Sequence, residues 1–211
     1  MWNEENLGYY WPQPYASSYV GLLRSAHSAI HKADPGAKLV LGALTNFAWK
    51  SIGQIYGIGG ARQQFDVVSV NAFTKRPADV MLYLRYMRNA MNHFKDRAKP
   101  LLAAEVSWPS AQGKSRQHFD FDTSEGGQAR DIAALLPMIG ASYKALGLIG
   151  FYYYTWLGNE GDPGLAFNYA GLLRFRQGTI TAKPALGAFR TGALALEHCR
   201  RKGSLASSCI T

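Results

Sequence analysis

The sequence predicts an α/β fold in which parallel strands are covered by helices. Short apolar runs alternate with longer segments whose apolar residues recur at helical spacing, and this alternation repeats along the 211 residues. The apolar runs are continuous, which is typical of strands buried on both faces. No linker, low-complexity segment or solenoid repeat interrupts the pattern, so we expect one α/β domain.

Each predicted element follows from a local pattern. The first helix is predicted over Ser17–Ala33, because Leu23 and Ile30 recur on one face and Asp34 begins a turn sequence that ends it. The remaining elements, in chain order, are a strand over Lys38–Leu44, a weak helix from Asn46 to Tyr56, a strand over Phe65–Phe73, a helix over Ala78–Phe94, a strand over Pro100–Val106, a helix over Glu125–Leu146, a strand over Leu148–Thr155, a hairpin at Arg176–Gly178 and a helix from Lys183 to Glu197.

The domain is predicted to comprise residues 1–197, followed by a C-terminal tail over residues 198–211. The tail contains both cysteines of the chain, Cys199 and Cys209. A disulfide between them would keep the tail ordered in an exported protein, whereas both would be ordinary thiols in a reducing compartment. Two cysteines exclude a disulfide-rich scaffold and a cysteine-rich zinc module.

The positive charge of the chain does not indicate a nucleic-acid partner. There are 23 Lys and Arg against 14 Asp and Glu, a formal net charge of +9. These basic residues are scattered singly or in short groups, without a basic run or a recognition helix. We therefore expect a solvated surface with a weak preference for anions.

The sequence also predicts neither a membrane helix nor a metal or other cofactor. No window approaches eighteen uninterrupted apolar residues. The first residues lack a basic region followed by an apolar stretch, so no signal peptide is expected in this chain. Only His27 and His31 have the spacing of metal ligands, and no third ligand accompanies them.

Two glutamates stand at positions where chemistry is expected. Glu4 lies in the segment Trp2–Asn6, and Glu105 ends an apolar strand. A single carboxylate at a strand exit is most often a surface residue. Two carboxylates at the same ends of parallel strands, however, converge on the mouth of a barrel, where (β/α) enzymes place their active sites.

Five segments, in order along the chain, resemble motifs of retaining glycoside hydrolases with the (β/α)8 fold. The clan that they resemble includes cellulases, mannanases and β-xylosidases. The segments are Trp2-Asn3-Glu4, similar to W-N-E-P-N; residues 65–73, similar to D-x-V-x-x-H-x-Y; Ala104-Glu105-Val106-Ser107-Trp108, similar to T-E-x-G-W; Tyr152-Tyr153-Tyr154-Thr155-Trp156, similar to the aromatic last strand; and Gly171-Leu172-Leu173 with Lys183-Pro184-Ala185, similar to a late G-L-x…K-P-A element.

The resemblance implies a TIM-type barrel of which this chain supplies about strands 4–8. It also implies a retaining hydrolase of β-linked poly- or oligosaccharides, secreted, with Glu4 as the general acid/base and Glu105 as the nucleophile. The other implied site residues, all contacting the sugar, are Asn3, Asn71, Trp108, Tyr154 and Trp156. The aromatic run from Tyr9 to Trp11, together with Trp108, is expected either to extend this surface or to form a structural cluster.

The chain departs from the pattern at several positions. Glu5 replaces the usual Pro, while Asn71 and Phe73 stand where His and Tyr are usual. Because strands 1–3 are not included, we expect the sheet edges at Lys38–Leu44 and Leu148–Thr155 to pair with a second copy of this chain or with an N-terminal half. The alternative functions are a non-catalytic carbohydrate-binding or assembly module and an anion-binding surface protein.

Overall fold

The computed structural model describes residues 1–201 and confirms the α/β class. Cys209 lies outside the described residues, and with it the expected Cys199–Cys209 bridge. The helices and strands are α1 (Tyr15–Ala33), α2 (Ala48–Tyr56), β1 (Val68–Asn71), α3 (Pro77–His93), β2 (Leu101–Val106), α4 (Glu125–Leu146), β3 (Leu148–Tyr153), β4 (Leu157–Asn159), β5 (Leu173–Arg176), β6 (Thr179–Ala182) and α5 (Pro184–Arg201), with 3₁₀ turns at Ala61–Gln64 and Ala166–Tyr169.

The central sheet has the order β1–β2–β3. β1 and β2 are parallel, as the continuous apolar runs predict, with Val68 opposite Leu101 and Asn71 opposite Glu105. The register shifts between Val70 and Asn71. A bulge of this kind redirects the side chains that follow it.

The predicted strand over Lys38–Leu44 is wrong as a continuous strand. The segment makes only isolated parallel bridges, from Val40 and Leu44 to the β1 side and from Ala43 to Asn3. In and directly after this segment, several backbone N–H groups donate to side chains instead of to the carbonyls of a neighbouring strand. Asp66 Oδ2 accepts the Leu39 N–H (2.8 Å), the Tyr19 hydroxyl accepts the Gly42 N–H (2.7 Å) and Asn6 Oδ1 accepts the Thr45 N–H (3.1 Å).

The chain divides into two compact units. The first comprises Met1–Ala72, Tyr83–Glu105 and Leu146–Tyr152. In this unit, α1, α2 and the second part of α3 bury most of their apolar side chains, which is what their helical periodicity predicts. The buried side chains that form this core include Tyr19, Val20, Leu23, Leu41, Leu44, Ile52, Ile55, Val68, Val70, Leu84, Met87, Met91, Leu101 and Ala103.

The second unit comprises Phe73–Leu82, Val106–Ala145 and the chain from Tyr153 onward. Its β5–β6 hairpin turns at Gln177 and Gly178, whose φ values of 50° and 76° are both left-handed. Two positive φ values are what a two-residue hairpin turn of the favoured hand requires, and a glycine at the second position adopts one without strain. The hairpin expected at Arg176–Gly178 is therefore confirmed.

A buried ion network joins the loops of the second unit. Lys183 Nζ donates to Ser110 Oγ (2.7 Å) and to the Tyr169 carbonyl (2.8 Å), and lies 3.0 Å from Glu160 Oε1. Arg174 pairs with both oxygens of Glu125, at 2.8 Å each. Because Glu125 begins α4, its charge also complements the positive end of that helix.

Within residues 1–201, no helix is long and apolar enough to cross a bilayer.

Lys183→Met is expected to lower the free energy of unfolding by about 3 kcal/mol, because it leaves the Glu160 carboxylate buried without its ammonium partner. Lys38→Met is the control, since that ammonium is 72% exposed and lies 3.8 Å from Asp66. Its loss should change stability by less than about 1 kcal/mol. Urea unfolding measures both. Equal effects of the two variants would contradict the role of the buried network.

Candidate active site

Glu4 is held by a short parallel pairing with the segment before α2. Asn3 bridges to Ala43, and the Glu4 N–H donates to the Ala43 carbonyl at 3.0 Å. Trp2 and Glu4 both have left-handed backbones, with φ values of 67° and 51°. Such conformations cost about 1–3 kcal/mol each for a residue with a Cβ, so the surrounding contacts must hold them.

Asn6 provides much of that restraint, and sequence reasoning missed it. Its Nδ2 donates to the Thr45 carbonyl (2.9 Å) and to Ser51 Oγ (3.2 Å), while its Oδ1 accepts the Thr45 N–H (3.1 Å). One side chain therefore ties the Glu4 segment to the chain that enters α2. The sequence signal that could have found it is the last Asn of the W-N-E-P-N pattern, which Asn6 matches.

Asn71 joins the residues that sequence analysis selected. Its Nδ2 donates to Glu4 Oε1 at 2.9 Å and to Asn3 Oδ1 at 3.2 Å. Asn71 is fully buried at the end of β1, opposite Glu105 in the register. The Ala72 N–H donates to the Glu105 carbonyl at 2.8 Å, which holds β2 alongside. The structure thus brings together Asn3, Glu4, Asn71 and Glu105.

Both carboxyl groups of this cluster have raised pKa values. The pKa of Glu105 is raised to about 7, chiefly by burial and also by the charge of Glu4, while a hydrogen bond with Asn71 opposes the shift. Burial also raises the pKa of Glu4, against hydrogen bonds from Asn71 and Thr45. Because the two charges repel, the carboxyls titrate as a pair that keeps one proton up to near-neutral pH.

The raised pKa of Glu4 agrees with the acid role expected for it. The raised pKa of Glu105 differs from the expectation that it is the ionised partner, and the physical causes are its burial and the nearby charge of Glu4. The pair as a whole therefore holds the proton that the chemistry requires.

Glu5 lies apart from this pair, although it is next to Glu4 in the chain. Its side chain is fully buried near the Tyr19 hydroxyl and Gly42, where a Cβ at residue 42 would be 2.9 Å from the Tyr19 oxygen. Burial raises the pKa of Glu5 to about 7. Tyr19 is a buried residue of α1, so the Glu5 side chain lies in the core against that helix.

Trp108 does not offer a face to a sugar. It is 1% exposed, and its indole N–H donates to the Thr74 carbonyl at 2.8 Å. We therefore correct its expected role from sugar contact to packing. The T-E-x-G-W resemblance identified the strand end correctly but carries no information on which residues cover the ring.

Tyr154 and Trp156 both lie in the second compact unit, in different surroundings. Tyr154 packs edge-on against Phe73 and Phe167, with ring centroids 6.4 and 5.5 Å apart. Phe73 thus fills an aromatic cluster at the position where the resemblance has a hydroxyl-bearing Tyr. The Trp156 side chain is 61% exposed, so its ring is open to a ligand.

The aromatic residues from Tyr9 to Trp11 also differ in their surroundings. Trp11 is structural, because it packs edge-on against Trp2 (5.3 Å) and Tyr19 (5.6 Å) and donates its indole N–H to Ser18 Oγ. Tyr9 is 88% exposed. Of the two expectations for this run, the structural one describes Trp11.

The cluster of Asn3, Glu4, Asn71 and Glu105 can perform acid–base and nucleophilic chemistry. It offers two carboxyls with one shared proton and amide groups that bind hydroxyls. Within the described part of the chain, no three His, Cys, Asp or Glu side chains converge as metal ligands would.

Comparison with solved structures places this fold among known ones. The chain is similar to a monomeric β-xylosidase from Caulobacter crescentus CB15 (18% identity, TM-score 0.61, 90% of this chain and 40% of that one) and to a GH39 enzyme from Xanthomonas axonopodis pv. citri (19%, 0.64, 92% and 40%). A GH2 β-galacturonidase from Eisenbergiella tayi is also similar (18%, 0.58, 85% and 31%).

These proteins are glycoside hydrolases with TIM-barrel folds. The chain has the fold of part of a glycoside hydrolase domain. It spans 40% of the length of the first two proteins. No family model and no curated protein sequence matches the chain.

Asn71→Ala is expected to raise the pKa values of both Glu4 and Glu105, because it removes the hydrogen bonds that stabilise their ionised forms. Carboxyl carbon NMR of labelled glutamate, titrated across neutral pH, measures both groups. Asn89→Ala, at an exposed position of α3, is the control. Unchanged midpoints in Asn71→Ala would rule out this bridging role.

Glu5→Gln is expected to stabilise the protein at alkaline pH. Because the folded pKa of Glu5 is about 7 and its ordinary value is 4.5, wild-type stability falls as pH rises between these values. The gain of the variant over wild type should therefore be absent near pH 4 and reach about 3 kcal/mol at pH 8. Unfolding at both pH values measures it, with Asp120→Asn at an exposed site as control. A gain that does not depend on pH would contradict the burial of an ionisable group here.

Proposed function

We propose that this chain carries the catalytic pair of a retaining β-glycoside hydrolase acting on β-linked poly- or oligosaccharides. The observation that carries the proposal is the cluster in which Asn71 donates to Glu4 and lies opposite Glu105. Retaining hydrolysis needs two carboxyl groups, one protonated and one ionised, and the pair of raised pKa values supplies that state. The fold shared with glycoside hydrolases supports the same reaction class.

The first step starts from the form of the pair in which Glu4 holds the shared proton, and the ionised Glu105 attacks the anomeric carbon. A carbon–oxygen bond to Glu105 forms while the bond to the leaving oxygen breaks, and Glu4 transfers its proton to that oxygen. A covalent glycosyl ester remains on Glu105. Glu4 is now ionised, and the Asn71 N–H that binds Glu4 Oε1 stabilises this charge.

In the second step, water replaces the departed group. Glu4 takes a proton from the water, whose oxygen bonds to the anomeric carbon as the ester bond to Glu105 breaks. Both displacements invert the anomeric carbon, so the product keeps the original configuration. Asn3 can bind the sugar 2-hydroxyl through its NH₂ group, because its Oδ1 already accepts from Asn71.

We also propose that the sheet is part of a larger barrel. A TIM barrel closes with eight parallel strands. This chain spans 40% of the length of the similar enzymes, and Ile149 and Tyr152 on β3 are each 61% exposed. Strands supplied by an N-terminal half, or by a second copy of this chain, would cover these side chains.

Glu4→Gln is expected to lower kcat/KM for substrates with poor leaving groups by about 10²–10⁴-fold, because the proton donor is lost. The fall in wild-type activity above about pH 7 should disappear in this variant, since that limb reports the shared proton. Hydrolysis of alkyl and dinitrophenyl β-glycosides across pH measures both effects. Glu5→Gln, the same change one residue away in the core, is the matched control.

Glu105→Gln is expected to abolish covalent labelling by a 2-deoxy-2-fluoro β-glycoside, and mass spectrometry of wild type should find the label on Glu105. A label on another residue would overturn the assignment. Binding of oligosaccharides without any turnover would support the alternative, a non-catalytic carbohydrate-binding module.

A further inference from the structure

A second aromatic cluster lies beside the segment that pairs with Asn3. Phe47 precedes α2, Trp49 lies in its first turn, and Tyr86 lies on α3. The Trp49 ring is 5.6 Å from Phe47, edge-on, and 5.0 Å from Tyr86, tilted. Tyr83, one turn before Tyr86, is 6% exposed and packs edge-on against Trp49, with their ring centroids 5.2 Å apart. We refer to Phe47, Trp49 and Tyr86 as the Phe47 platform.

The Phe47 platform presents aromatic surface to solvent. Phe47 is 61% exposed and Tyr86 is 44% exposed, while Trp49 is half-buried between them. The Lys50 ammonium lies over the Phe47 ring, 4.9 Å from its centroid, so a ligand that stacks on this face takes the place of the ammonium. Edge-to-face packing on Trp49 and Tyr83 orders these rings, so a flat ligand would bind them with little additional ordering. A rigid, exposed aromatic surface bordered by polar groups suits a ligand with one apolar face and many hydroxyls.

The platform is physically joined to the carboxylate cluster. Thr45 is bonded to Asn6 through its backbone, and its side chain contributes a hydrogen bond to Glu4. Phe47 follows Thr45 by two residues, so their Cα atoms are at most about 7 Å apart. Asn6 Nδ2 also bonds Ser51 in α2, which fixes the helix that carries Trp49. The spacing between the platform and Glu4 is therefore held by side-chain hydrogen bonds as well as by the chain.

We propose that the Phe47 platform binds a second pyranose unit of a β-linked oligosaccharide, adjacent to the unit held at Glu4 and Glu105. The sugar presents the face that carries its axial hydrogens to Phe47 and Tyr86, and its hydroxyls remain in water. This inference rests on the proposed function and specifies its substrate class. The platform favours chains of two or more β-linked sugars over simple aryl glycosides.

The test compares oligosaccharide length in binding and in turnover. Titration calorimetry with β-1,4-linked xylose and glucose oligomers of two to six units should give dissociation constants that rise about three- to tenfold in Phe47→Ala, as expected for loss of one aromatic contact. In turnover, kcat/KM for these oligomers should fall by the same factor. The value for p-nitrophenyl β-xyloside, which has a single sugar unit, should not change by more than about twofold.

Three further variants separate stacking from structural damage. Phe47→Trp should retain oligomer binding, because it keeps a flat ring, whereas Phe47→Leu should lose it despite being apolar. Tyr86→Ala should weaken binding in the same direction as Phe47→Ala. Phe175→Ala, at an exposed aromatic position (40%) in the hairpin of the second unit, is the control and should behave as wild type.

The outcomes distinguish this inference from the proposed function. Oligomer binding that depends on Phe47 but occurs without turnover supports the platform and counts against the catalytic proposal. Turnover of oligomers with equal dissociation constants in wild type and Phe47→Ala overturns the platform alone. Binding that Phe47→Leu preserves as well as Phe47→Trp also overturns it, since the contact would then be merely apolar.

Discussion

The site depends on a buried amide placed between two carboxyl groups. Asn71 is uncharged, so it can stabilise an ionised carboxylate without adding a proton equilibrium of its own. Two carboxylates in a buried site cannot both be ionised at little cost, because their repulsion is poorly screened there. The number of protons in this cluster is therefore determined by Glu4 and Glu105 alone, and a histidine at position 71 would have added a third titrating group.

The helices of this chain could be predicted because their information is local. The apolar face of α1 and the boundaries of α4 follow from spacing within each segment. The segment at residues 38–44 was mispredicted because its backbone partners come from distant side chains. Asp66 and Tyr19 on α1 accept the N–H groups of Leu39 and Gly42, and a propensity for strand structure does not anticipate such contacts.

The candidate site was partly predictable for a similar reason. Glu4 and Glu105 were found because carboxylates at the same ends of parallel strands converge, and Asn71 was found through the resemblance of residues 65–73 to a glycoside hydrolase motif. The burial of Trp108 and the position of Glu5 depend on which element covers each side chain, and the sequence around them does not encode it. The Phe47 platform was missed because its rings come from α2 and α3, far apart in the chain and without a shared motif.

Two consecutive glutamates make the first segment ambiguous in register. Glu4 faces Asn71 and Glu5 faces Tyr19, so a shift of the segment by one residue would place the other glutamate beside Asn71. Either glutamate could then supply a carboxyl beside Asn71, at the cost of moving the other into solvent or into the core. The pairing of Glu4 with Ala43 and the fit of Asn6 around Thr45 select one of these two alignments. The carboxyl that faces Asn71 is thus decided by an amide two residues downstream of Glu4, and the proposed acid is specified by the alignment of this segment as well as by its residue type.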